Sequence, residues 1–74
     1  MGGLSEERLR LVKLIEHWAH HNDEHGGRFA EAAAEAERMG VGGAAEELGR
    51  AAAESDKVSR HLLKALKILG EVRG

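Results

Sequence analysis

Leu14-Ile15-Glu16-His17-Trp18-Ala19-His20-His21-Asn22-Asp23-Glu24-His25-Gly26-Gly27-Arg28-Phe29 is the stretch on which the fold turns. Two adjacent glycines inside a helix cost about 2 kcal/mol relative to alanines, which favours a break at Gly26. The apolar spacing favours continuity. Leu14, Trp18, His21, His25, Phe29, Ala32, Ala36 and Met39 follow one another at steps of three or four, on average about 3.6 residues, the period of an α-helix. A chain that left the helix at Gly26 would have no reason to keep phase beyond it. The spacing therefore predicts one long helix over about 5–39. A clean break at Gly26-Gly27, giving a three-helix bundle, is the alternative.

Toward the N-terminus, Ser5 is placed to cap this helix, with Glu6 and Glu7 at the positive end of its dipole and Leu4 able to staple onto Leu9. Toward the C-terminus, Gly40-Val41-Gly42-Gly43 ends it. Gly40 suits the left-handed position after a helix, and so short a link suits an antiparallel neighbour. The second helix is expected over about 44–69, with a stripe of Leu48, Ala51/Ala52, Ser55, Val58/Ser59, Leu62, Leu66 and Leu69. Glu46 with Arg50 and Asp56 with Arg60 form favourable four-residue charge pairs on its sides, while Gly49 weakens it locally. Lys57, Arg60, Lys64 and Lys67 read as a solvated basic face.

The fold class is therefore all-α: a single domain over 1–74, built as a long helical hairpin about 50 Å in length at 1.5 Å per residue. Small residues (Ala32, Ala33, Ala36, Ala44, Ala45, Ala51, Ala52) crowd the turn end, and bulky ones (Leu11, Leu14, Ile15, Trp18, Leu62, Leu66, Leu69) gather at the other. Two helices leave half of each stripe wet. Pairing of two copies into a four-helix bundle, a homodimer, is the expectation.

Composition narrows the function. The chain has 74 residues, no cysteine, no proline and a formal charge of −2. Thiolate metal sites and disulfides are excluded, and no general attraction to nucleic acid or anionic membrane is supported. No apolar run approaches the ~20 residues of a membrane span. The opening Met1–Glu7 lacks the basic flank and apolar stretch of a signal peptide, so a cytoplasmic location is the expectation. Nucleophile motifs and phosphate-binding loops are missing, so an enzyme is not expected.

Histidine is what remains. Of five in the chain, His17, His21 and His25 form two consecutive i,i+4 pairs, a spacing that lets imidazoles on adjacent turns reach one ion. His21 and His25 are expected in the seam and His17 on its shoulder. Folding about the turn pairs residues whose numbers sum to roughly 83, which brings His61 to the level of Asn22. Ser55 and Ser59 stand opposite His25, leaving room and offering hydrogen-bond acceptors. Asn22 could orient an imidazole or fix helix register across the dimer. The expectation is a metal site of His17, His21, His25 and His61 taking Zn²⁺, Ni²⁺, Co²⁺ or Cu²⁺, with a role in metal handling or sensing. The competing reading is a structural or protein-interaction dimerisation module, with a buried polar histidine layer, no metal, and a protein partner of unknown identity.

The run His17-Trp18, His21-Asn22, His25 and then Phe29 resembles a pattern in small uncharacterised prokaryotic helical-hairpin domains, His-Trp-x-x-His-Asn-x-x-His followed by an aromatic. The similarity would cover most of the chain. It implies a site and no particular activity. His20, His61 and the Gly26-Gly27 pair are not part of that pattern.

Overall fold

The computed structural model describes residues 2–71, and the side chains of 6–70. Two helices, α1 (Gly2–Arg38) and α2 (Gly42–Glu71), fold back on each other as an antiparallel hairpin. Helix α1 runs unbroken through Gly26-Gly27, so the three-helix alternative does not occur. It also begins three residues before Ser5, which removes the expected cap from that position; the hydroxyl of Ser5 and the side chain of Leu4 lie outside the described residues.

The turn is built from backbone hydrogen bonds. Gly40 N donates to Glu37 O (3.0 Å) and Val41 N to Ala36 O (2.9 Å). This nested pair closes the last carbonyls of α1 and requires a left-handed residue between them. Gly40, at φ 79°, is that residue. Ala45 N then donates to Val41 O (3.0 Å), starting α2 with no intervening loop.

The seam between the helices interleaves small residues with larger apolar ones, and around mid-height it is mostly small. On α1 it follows Val12, Ile15, Ala19, Asn22, Gly26, Phe29, Ala33 and Ala36; on α2, Ala45, Leu48, Ala52, Ser55, Ser59, Leu62, Leu66 and Leu69. Steps alternate strictly between three and four, about 3.5 residues per turn, which is the heptad period of helices that stay in register over length. The close approach is visible at Gly26, where a Cβ would lie 3.0 Å from Ser55 Oγ and 3.3 Å from Ser55 Cβ. At Gly27 a Cβ would meet nothing within 4 Å. One glycine of the pair is needed for packing; the other only weakens the helix.

This seam corrects the expected stripe. Ile15 is 6% exposed, whereas Leu14 is 43%, Trp18 48% and Met39 68% exposed. His21 and His25 are exposed as well, while Phe29 and Ala32 are half-buried and Ala36 is buried. The larger side chains of α1 flank the contact because small ones let the two backbones approach. No side chain is fully buried among the described residues.

A polar layer fixes the register at mid-height. Asn22 Nδ2 donates to Ser55 O (2.6 Å) and to Ser59 Oγ (2.9 Å). Ser55 Oγ donates to Asn22 O (3.0 Å), and Ser59 Oγ donates to Asp23 Oδ1. No buried side-chain polar atom among the described residues lacks a partner. Sliding α2 by one turn would break all four bonds at once, so Asn22 sets register within the hairpin and does not orient an imidazole. Exposed i,i+3 and i,i+4 ion pairs, among them Arg50–Glu46 (2.6 Å) and Arg60–Asp56 (2.5 Å), add about 0.3–0.5 kcal/mol each at most.

The product is a rod of 58 × 14 × 10 Å between Cα extremes, with a radius of gyration of 17.0 Å, against about 11 Å for a compact chain of this length.

Candidate metal centre and groove

The histidines sit on a ladder of rings along α1. His17 stacks on His21 (centroids 6.0 Å apart, planes at 12°), His21 meets His25 edge to face (4.4 Å, 88°), and His25 stacks on Phe29 (6.2 Å, 20°). Each step of four residues advances about 40° beyond a full turn. The ladder therefore spirals from solvent at His17 to the seam at Phe29, which is half-buried.

That drift decides which imidazoles can converge. His21 Nε2 and His25 Nε2 are 3.0 Å apart, within hydrogen-bonding distance. A hydrogen bond there needs a proton on one Nε2 and a bare Nε2 on the other. Two imidazole nitrogens bound to one tetrahedral ion at about 2.0–2.1 Å stand roughly 3.3 Å apart, so a small rotation of either ring admits an ion between them. His17 is one step further round. Its ring lies parallel to that of His21, with centroids 6.0 Å apart, and makes no hydrogen bond to the His21–His25 pair among the described contacts. His20 points elsewhere, with Nε2 3.9 Å from Glu24 Oε2.

His61 is exposed on α2, and its ring is not part of the His21–His25 contact. The observed cross-pairing joins Asn22 to Ser59, two residues short of the level expected for His61. Among the described residues, no group of three or more His, Cys, Asp or Glu side chains is placed to hold one ion. The structure thus brings together His21 and His25, sets His17 beside them, and leaves His61 apart. Ser55 and Ser59 are taken up by Asn22 and Asp23, not by imidazoles.

His21 Nδ1 lies 3.9 Å from Glu24 Oε1, too far for a direct hydrogen bond.

Sequence reasoning missed the groove beside the pair. Trp18, His21, Asn22, His25, Val58 and Leu62 line an open cavity of about 310 Å³. Trp18 and Val58 are half exposed there. The signal was present in the sequence as a second apolar ribbon, Leu11, Leu14 and Trp18, running one residue out of phase with Ile15 and Ala19. No described helix is long and apolar enough to cross a membrane.

No curated protein and no solved structure matches the chain. Residues 11–69 match a family described as a domain of unknown function, DUF8180, and this interval contains both the ring ladder and the whole turn. By that match the chain belongs to the DUF8180 family, whose description assigns it no activity.

Proposed function

We propose that this chain binds a divalent transition-metal ion through His21 and His25, for metal handling or sensing and not for catalysis, and that it works as a homodimer. The observation that carries the reading is the 3.0 Å approach of the two Nε2 atoms from adjacent turns of one helix. Zn²⁺, Ni²⁺, Co²⁺ and Cu²⁺ all accept imidazole nitrogen, whereas Ca²⁺ and Mg²⁺ take oxygen ligands. The ligand set narrows from four histidines to two because of the helical drift at His17 and the separate placement of His61.

The test is thermal. Metal that binds only the folded chain stabilises it by about 1.4 kcal/mol at ten times Kd, which raises the Tm of so small a domain by roughly 5–10 °C. Chelator-treated protein should show this rise with Zn²⁺ or Ni²⁺, His21→Ala and His25→Ala should each lose it, and His20→Ala should keep it. No rise with any of the four ions would overturn the reading.

A second reading rests on the ribbon of Leu11, Leu14 and Trp18, each more than two-fifths exposed. An interaction module would use that face and need no ion, with His21 and His25 bonded to each other. Its polar layer would be Asn22, Ser55 and Ser59 in place of a buried histidine layer. Self-association insensitive to metal would favour it.

A further inference from the structure

A single copy supplies the proposed ion with two nitrogens, while a tetrahedral ion takes four ligands. We infer that a second copy of this chain supplies the rest: one ion lies on a two-fold axis, held by His21 and His25 of each copy, and metal binding and dimerisation are coupled. This rests on the metal-binding reading above and adds the partner and the regulation.

Three observations support it. The first is area. The chain exposes 5668 Å², whereas a compact monomer of its 8.0 kDa exposes about 4,450 Å². The excess of roughly 1,200 Å² exceeds the ~800 Å² that each partner buries in a standard stable interface.

The second is location. The exposed apolar side chains Leu11, Leu14 and Trp18 precede His21 and His25 along one side of α1, and Trp18, His21 and His25 share the groove with Val58. A surface that hides the ribbon therefore also covers the histidine pair.

The third is height on the rod. His21 and His25 stand close to the middle of α1 (Gly2–Arg38). In a two-fold dimer with turns at opposite ends and full overlap, only residues near mid-height meet their own copies. With turns at the same end, every residue of the face meets its own copy. The second arrangement brings the two pairs together directly; the first does so when the copies slide by about 9 Å, because the pair is centred about three residues, or about 4.5 Å, past the middle of α1. Because linkage is reciprocal, an ion that prefers the dimer tightens the dimer by the same factor.

The experiment is sedimentation equilibrium of the full chain after chelator treatment, with and without Zn²⁺, alongside a zinc titration that gives stoichiometry. Expected are one ion per two chains and a dimer dissociation constant lowered by at least about ten-fold. His21→Ala and His25→Ala should each abolish the tightening, with unchanged helical circular dichroism because both side chains are exposed. One ion per chain, or zinc binding that leaves self-association unaltered, overturns the shared site while leaving the two-histidine reading intact. No binding of Zn²⁺, Ni²⁺, Co²⁺ or Cu²⁺ in the same titration overturns both.

Discussion

Helix α1 carries two apolar ribbons one residue out of phase, and they have different fates. Ile15, Ala19, Asn22 and Gly26 lie against α2, whereas Leu11, Leu14, Trp18, His21 and His25 lie beside the contact and face solvent. The buried ribbon holds the smaller residues and the exposed one the larger. In a compact domain the bulky set would form the core. Here close backbone approach consumes the small residues, and the bulky set stays partly exposed to solvent.

The sharpest way to break this contrast is to shorten one side chain on each ribbon. Ile15→Ala removes a side chain that is 6% exposed and should cost about 2–4 kcal/mol in urea unfolding. Leu14→Ala should cost less than half of that and should act mainly on self-association, seen as a larger dimer dissociation constant. Equal losses from the two would mean that the ribbons are equivalent.

Smaller effects sharpen it at the polar layer and the turn. Asn22→Ala leaves Ser59 and the Ser55 carbonyl without their shared donor, a loss of about 1–2 kcal/mol, with amide exchange speeding up first around residues 22 and 59. Gly40→Ala forces a Cβ into a left-handed position and should cost about 1–2 kcal/mol, from backbone strain alone since no atom lies within 4 Å. Smallest of all, Gly27→Ala should stabilise by up to about 1 kcal/mol, as that position gains helix propensity without a clash. The same change at Gly26 should not help, because Ser55 stands in the way.

Much of the fold was legible before any coordinates. The 3.6-residue phase kept across Gly26-Gly27 identified one continuous helix, and Gly40 identified the turn. The rotation of α2 was legible in its stripe of Leu48, Ala52, Ser55, Ser59, Leu62, Leu66 and Leu69, which lies in the seam; that of α1 was not, because Leu14 and Trp18 form as regular a stripe as Ile15 and Ala19, and only the close approach at Gly26 decides between them. Of the site, the i,i+4 spacing found the His21–His25 pair. His17 follows on the same ladder, its ring stacked on that of His21, and the level of His61 depends on a register that Asn22 and Ser59 set.

The most direct measurement of the central claim is histidine-selective NMR of chelator-treated protein during a Zn²⁺ titration. The expected result is that the Nε2 resonances of His21 and His25 move together and saturate together, while His17, His20 and His61 stay in place. Resonances that do not move, or five rings that drift in parallel without saturating, would contradict it.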